Sequence, residues 1–181
     1  MTYILMGKIK EKMETRKKNE FSKEIIGKPK QWIVDSAKEV GVDIEGYSHE
    51  KTSDFKNHVQ NRHGNQKIET SRGQIAINEK DFEKIPEIIE SPVHVIIGGK
   101  YTKGEDKGKD FLVYAKKMDD DTMFYYEVVL SGQKTLRGKT MYKQKGKLDK
   151  QAVFDKVSSS QDADYKKAKI ISPEPLEASP A

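Results

Sequence analysis

The sequence has no cysteine, only one tryptophan, and six prolines among its 181 residues. The lack of cysteine excludes a disulfide scaffold, a cysteine nucleophile and a thiolate-bound zinc or iron–sulfur site. No apolar run approaches the roughly 20 residues that a membrane span needs. The first ten residues also lack the pattern of a signal peptide, so we expect no membrane association. These absences favour one domain with tails in a reducing cytoplasm.

Charge is abundant, but its positive excess lies at one end of the chain. Lys and Arg total 34 against 29 Asp and Glu, and residues 1–30 hold nine of the positive residues and four of the negative ones. The remaining residues are therefore neutral overall. A basic N-terminal arm of this kind could contact phosphates, although a solvated helical segment would have the same composition.

Apolar spacing and capping residues predict three helices in the first half of the chain. One begins near Trp32 and ends before Gly41, and a second spans 52–64. In the second, Thr52 or Ser53 can cap the N-terminus, and Gly64 suits a left-handed position after the last turn. A third is predicted over 78–89, where Asn78 and Asp81 form a capping box and Pro86 bends or shortens the helix. Short extended stretches are expected near 42–47 and 74–77.

The second half of the chain has the pattern of β-strands. Runs of β-branched and aromatic residues are separated by Gly-rich or Asp-rich turns. The predicted strands are 93–97, 110–117, 122–130 and 135–142. Helices followed by consecutive strands predict an α+β fold, with N-terminal helices packed on a four-stranded antiparallel β-sheet.

This pattern divides the chain into three parts. Residues 1–30 are expected to be a basic helical or flexible arm, and residues 31–148 a compact domain. Residues 149–181 are expected to be a mostly disordered tail with at most a short helix near 152–157.

Two of the four histidines, His58 and His63, lie on the predicted helix 52–64. Imidazole exchanges protons near neutral pH, and Arg62 beside them offers a fork of donors for a phosphate. This combination suits metal-free cleavage of RNA, in which the neighbouring 2′-OH attacks the phosphate. Surface histidines remain the plainer interpretation. Zinc binding is disfavoured, because a spacing of five places the rings about 140° apart on a helix.

The order of several short motifs resembles phage-associated nuclease domains of the BECR type (Barnase–EndoU–ColicinE5/D–RelE-like). Residues 41–49, GVDIEGYSH, resemble the opening motif of these domains, and a helix motif H-(I/V)-x-x-x-H-G is met by His58, Val59, His63 and Gly64. The pattern then continues through Ile77, Asp81, Phe82, Ile85, Pro86, Ile88, Ile89 and Pro92. It closes with Tyr114, Lys116, Glu127, Val128, Thr140, Met141 and Tyr142. The resemblance covers about residues 40–143.

The resemblance implies a catalytic set of His58, His63, Lys116 and Thr140. The histidines would form the acid–base pair, with their roles undivided, and Lys116 would stabilise transition-state charge. Thr140 would bind a phosphate oxygen. Substrate binding is expected from Arg62 (our own inference), Tyr142 and Tyr114.

Side-chain alternation places Tyr114 and Lys116 on one face of a strand, and Thr140 and Tyr142 on one face of another. We therefore expect both pairs to point from the same sheet surface towards the helix with His58. Glu127 could pair with Lys116 or Arg62, or act as a base, but ranks below the histidines. His49 and His94 are expected to be structural.

The leading hypothesis is a metal-independent endoribonuclease that leaves 2′,3′-cyclic phosphate ends, acting as a phage-borne or mobile-element toxin or effector. No metal and no cofactor are expected, and the partner would be RNA, with tRNA as one candidate, together with an immunity or antitoxin protein. The protein would act in a cytoplasm, its own or that of a target cell, or travel in a phage particle. The alternatives are a non-catalytic nucleic-acid-binding or phage structural domain of the same fold, and a helix-armed interaction module.

Overall fold

The computed structural model describes residues 22–173, which form one mixed sheet with helices before and after its central strands. Residues 1–21, most of the expected basic arm, lie outside the described residues. The strands are β1 Lys23–Gly27, β2 Ser48–Thr52, β3 His94–Tyr101, β4 Asp110–Met118, β5 Asp121–Leu130, β6 Thr135–Lys145, β7 Ala163–Asp164 and β8 Lys169–Ile171. The helices are α1 Gln31–Glu39, α2 Ser53–His63, α3 Gln66–Ser71, α4 Glu79–Phe82, α5 Ile85–Glu90 and α6 Lys150–Ser158.

The four strands predicted from the sequence form the centre of a larger sheet. β3 to β6 are an antiparallel meander, and the strand order is β1-β2-β6-β5-β4-β3-β7, with β8 also paired to β3. β2 runs parallel to β6 and antiparallel to β1. The predicted four-stranded antiparallel sheet is therefore too small, since the described residues form eight strands with one parallel pairing.

The helices are also not confined to the N-terminal side of the meander. Five precede it, and α6 follows it as a longer helix than the one expected near 152–157. β7 and β8 lie where disorder was expected, and β1 lies within the predicted N-terminal arm. Among residues 22–173, no helix combines the length and the hydrophobicity that a membrane-spanning helix requires.

Helix α2 begins and ends at the predicted residues. Thr52 caps it, since its Oγ1 accepts a hydrogen bond from the Phe55 backbone N–H (3.3 Å), and Gly64 follows its last turn. Gly64 has a right-handed φ of −92°, not the predicted left-handed one. A Cβ there would lie 2.4 Å from the Gln60 carbonyl oxygen, so the close approach of the backbone accounts for the glycine.

The predicted helix 78–89 is two short helices. The capping box of Asn78 and Asp81 is confirmed at the start of α4, and Pro86 lies in the first turn of α5, where a proline is tolerated. The extended stretches predicted at 42–47 and 74–77 contain no strand. Ile75 makes an isolated bridge to Lys143, and the missed strand β2 begins at Ser48.

The sheet has two covered faces, which we call the α1 face and the α6 face. The α1 face packs against α1, α2, α4 and α5 and carries the larger apolar core, whereas the α6 face packs against α6. Directly paired residues share a face. Tyr114, Tyr125 and Met141 are paired in this way on the α1 face, and Val113, Tyr126 and Thr140 on the α6 face.

Helix α2 lies beside the edge of β6, because β2 pairs only with residues 135–137 of that strand. The Phe55 ring contacts Tyr125 on the α1 face, with ring centroids 5.7 Å apart. Near the other end of α2, the His63 ring lies 5.7 Å from the Tyr142 ring, which belongs to the α6 face. The polar side chains of α2 can therefore reach the α6 face.

Candidate active site

A cleft of about 650 Å³ opens on the α6 face of the sheet. Helix α2 forms one wall, β5 and β6 form the floor, and α6 with the chain after it forms the opposite wall. The loop between β3 and β4 closes one end. The cleft contains five of the seven site residues predicted from the sequence: His58, Arg62, His63, Thr140 and Tyr142.

His63 is held in place by a buried carboxylate. Its Nδ1 donates to Glu69 Oε2 (3.1 Å), and Glu69 is fully buried in α3. Arg72 donates to the other oxygen of Glu69 (3.0 Å). Burial lowers the pKa of His63 below its ordinary value, and the Glu69 carboxylate opposes this only in part. The neutral ring therefore carries its proton on Nδ1, which leaves Nε2 as the proton acceptor.

His58 is half-buried and surrounded by positive charge. Burial lowers its pKa first, and Arg62, His63 and Lys139 lower it further, while Glu105 acts in the opposite direction. A lowered pKa makes the protonated ring a stronger acid. The two histidines of the cleft thus differ in environment, one oriented by a carboxylate and the other surrounded by cations.

The cleft is lined by an excess of cationic side chains. Its described lining contains five Lys or Arg residues and only two carboxylates: Arg62, Arg72, Lys103, Lys139 and Lys156 against Glu105 and Asp162. Two of the cations are already paired, because Lys139 donates to Asp106 and Arg72 to Glu69. Burial alone would raise the pKa of Asp106, but hydrogen bonds from Lys139 and Lys109 keep this pKa below its usual value. The remaining cations favour an anionic ligand such as a phosphodiester.

The floor of the cleft combines aromatic rings with a buried threonine hydroxyl. Tyr126 and Tyr142 share a hydrogen bond between their hydroxyls (2.9 Å), and burial raises the pKa of both. Thr140 is paired directly with Tyr126 and lies two residues before Tyr142 on β6, and its Oγ1 is buried without a hydrogen-bond partner within residues 22–173. The oxygen is buried beneath the cleft surface, so the Thr140 side chain would have to rotate to bring its hydroxyl to a ligand oxygen.

Two of the proposed site residues lie on the other side of the sheet. Lys116 and Tyr114 are on the α1 face, where Lys116 Nζ donates to the Ser91 carbonyl (2.6 Å) and Oγ (2.8 Å). Tyr114 is fully buried in the larger core. The expectation that they share a surface with Thr140 is wrong. Alternation fixes the faces within one strand, but the pairing register between strands decides which faces coincide.

Glu127 pairs with neither Lys116 nor Arg62. It is fully buried on the α1 face and accepts a hydrogen bond from His49 Nδ1 (2.7 Å). This contact joins β2 to β5 across β6. His94, the fourth histidine, is hydrogen-bonded to Ser172 Oγ (2.8 Å) away from the cleft. Neither His49 nor His94 lines the cleft.

The cleft or supporting residues missed from the sequence include four charged ones: Glu69, Arg72, Lys139 and Lys156. Glu69 lies six residues after His63, in a short helix that has no strong apolar pattern. The others are ordinary charged residues of a chain that is 35% charged. No sequence signal distinguishes them, because they meet only through the packing of α3 and α6 on the sheet.

Within residues 22–173, no group of three or more His, Asp or Glu side chains is arranged to hold a metal ion.

No curated protein and no solved structure was found to match the chain. Residues 27–151, however, match a family of nucleases, and this segment contains both cleft histidines and the floor of the cleft. The match covers more than half of the chain, which therefore belongs to the phage-Barnase-EndoU-ColicinE5/D-RelE like nuclease3 family.

Proposed function

We propose that the protein is a metal-independent endoribonuclease whose site is the cleft on the α6 face. The observation that carries the proposal is the pair of histidines with different environments in a cleft lined by an excess of cationic side chains. Family membership supports a nuclease. The choice of RNA rests on chemistry, because two histidines suffice for proton transfer when the substrate provides its own 2′-OH nucleophile.

His63 is the better candidate for the general base. Its Nδ1 is held by Glu69, so Nε2 is oriented to accept the proton of the 2′-OH, as in other sites where a carboxylate fixes a histidine base. His58, in its cationic surroundings, would protonate the leaving 5′-oxygen. Each transfer moves one proton, and the products are a 2′,3′-cyclic phosphate and a free 5′-OH.

The remaining side chains of the cleft would stabilise the phosphorane-like transition state. Arg62 is exposed beside His58 and can donate two parallel hydrogen bonds to phosphate oxygens. Thr140 Oγ1 would donate to another oxygen, and Tyr142 would position the ribose or stack on a base. These groups bind most strongly where negative charge develops, as catalysis requires.

We propose a toxin or effector role, carried by a phage or mobile element, and the phage-associated nuclease family supports this proposal. Structured RNA such as tRNA is the proposed substrate class, acted on in a cytoplasm. A cognate immunity or antitoxin protein would then protect the producing cell. The runner-up function is non-catalytic nucleic-acid binding, or a structural role in a phage particle, favoured by the cationic cleft alone.

The proposal is tested by incubating total RNA and tRNA with the purified protein in EDTA, beside His58→Ala and Lys116→Met variants. Cleavage is expected with the unmutated protein and with Lys116→Met, because Lys116 lies on the opposite face of the sheet. His58→Ala should be inactive although folded. RNA left intact by the unmutated protein at high concentration would favour the binding function, and cleavage restored only by Mg²⁺ would contradict the mechanism.

The pH dependence of cleavage follows from the lowered pKa values of both histidines. Activity rises as the base loses its proton and falls as the acid loses its own, so kcat/KM should be bell-shaped with its maximum below pH 6.5. Glu69→Gln removes the charge that raises the pKa of His63 and should move the rising limb to lower pH. Glu79→Gln, an exposed control, should leave the profile unchanged. A maximum above pH 7.5 would contradict these assignments.

A further inference from the structure

One wall of the cleft is built by the chain after residue 151, where the match to the nuclease family ends. The second half of α6 and the chain after it contribute seven of the lining residues: Lys156, Val157, Ser159, Ser160, Asp162, Ala163 and Tyr165. This wall faces α2, so a ligand beside His58 and His63 would also contact it.

The wall is firmly attached to the sheet. β7 pairs with Lys100 and Tyr101 of β3, and β8 pairs with residues 95–97 of the same strand. Val153 and Val157 of α6 are buried in the apolar cluster of the α6 face. A wall held at several points presents its side chains in a fixed position, which lowers the ordering cost of binding.

Among the described residues of this wall that line the cleft, Lys156 is the only cation. Its Nζ lies 5.6 Å from the centre of the Tyr142 ring. The side-chain amide of Gln74 connects Lys156 to Glu69. In the amide orientation that satisfies both of its polar atoms, the Gln74 oxygen accepts from Lys156 Nζ (3.1 Å) and the Gln74 nitrogen donates to Glu69 Oε2 (2.6 Å). Lys156 is thereby linked to the carboxylate that orients His63. An ammonium has three donors, so two remain for an anionic ligand.

Tyr165 provides an aromatic surface on the same wall. Its ring packs edge-on against Phe111, with centroids 6.0 Å apart, and is partly exposed in the cleft. Burial raises the pKa of its hydroxyl to about 12, so the side chain stays neutral at physiological pH. Partly exposed neutral rings beside cations are the usual platform for unpaired bases.

We propose that this C-terminal wall is a binding subsite for single-stranded RNA, in which Lys156 binds a phosphate next to the scissile one and Tyr165 stacks on a base. The inference rests on the proposed function, since it gives the same cleft its substrate contacts. The segment after residue 151, which lies outside the match to the nuclease family, would then take part in substrate selection.

The test is a binding titration with a fluorescent, fully 2′-O-methylated RNA oligonucleotide, which has no free 2′-OH to attack. Lys156→Met should weaken binding about tenfold, and loss of one phosphate contact should reduce the slope of log K against log salt by about 0.7. Lys156→Arg should keep the slope, because the charge remains. Lys167→Met, in the same segment but exposed and not lining the cleft, is the matched control and should behave as the unmutated protein.

Tyr165→Leu should weaken the same binding about tenfold without changing the salt slope, because stacking involves no counterion release. The inference is overturned if the unmutated protein binds and both Lys156→Met and Tyr165→Leu bind equally well. Failure of the unmutated protein to bind the oligonucleotide would instead count against the proposed function itself, and with it the subsite.

Discussion

Replacement of either cleft histidine is expected to reduce RNA cleavage about 10²- to 10⁴-fold, the usual contribution of a positioned acid or base. His63→Gln is the sharper variant, because glutamine can still hydrogen-bond Glu69 but cannot exchange a proton near neutral pH. His58→Ala removes the proposed acid from a half-buried position with no hydrogen bond to lose among the described residues. The measurement is kcat/KM on one RNA oligonucleotide, with circular dichroism to confirm folding.

A variant with both His58→Ala and His63→Gln should have a kcat/KM only slightly lower than either single variant. The acid and the base act in the same step, so losing one already removes most of their joint contribution. His94→Gln is the matched control, since this histidine contacts Ser172 away from the cleft. Its cleavage rate should stay near that of the unmutated protein. If His58→Ala or His63→Gln kept more than a tenth of the activity, that histidine would not be the proposed proton carrier.

The second large effect concerns stability. Glu127→Ala should lower the free energy of unfolding by about 3–5 kcal/mol, because it removes the acceptor of a fully buried His49 hydrogen bond and leaves a cavity in the core. His49 would keep its Nδ1 in the core without an acceptor, beside Tyr114 and Tyr125. For a domain of this size the melting temperature should fall by roughly 10 °C or more.

This stability effect should also reach the candidate active site. His49 lies on β2, and β2 leads directly into α2, which carries both cleft histidines. The Glu127→Ala protein should therefore lose cleavage activity at temperatures below its melting point as the attachment of β2 weakens. Glu83→Ala, a substitution at an exposed acidic residue, should change the melting temperature by less than about 2 °C. A Glu127→Ala protein as stable as the control would show that the His49–Glu127 pair makes no net contribution to the free energy of unfolding.

Much of the local structure could be predicted because it depends on neighbouring residues. Thr52 and Gly64 bound α2, Asn78 and Asp81 form a capping box, and alternating apolar residues mark the four strands of the meander. β2 was missed because its sequence, SHEKT, has no apolar residue. It is a strand through its pairing with β1 and β6, which is a tertiary effect that overrides local preference.

The site was predicted only in part, for a related reason. His58, His63 and Thr140 could be proposed from their residue types and from the resemblance, and the structure brings them to one cleft. Lys116 could not be assigned to a face without the pairing of β4, β5 and β6. Glu69 lies only six residues after His63 but in a short helix without a strong apolar pattern, and Lys156 belongs to α6. Only the folded structure therefore places them beside His63 and Tyr142.

The central claim is that histidines in this cleft use the RNA 2′-OH as the nucleophile. It is tested most directly with an RNA oligonucleotide cut at one site and a matched oligonucleotide with a single 2′-deoxynucleotide there, both in EDTA and analysed by mass spectrometry. We predict a 2′,3′-cyclic phosphate and a 5′-OH from the first, and no cleavage at the deoxy position of the second. Cleavage at the deoxy position, or products that end in a 5′-phosphate, would contradict the mechanism.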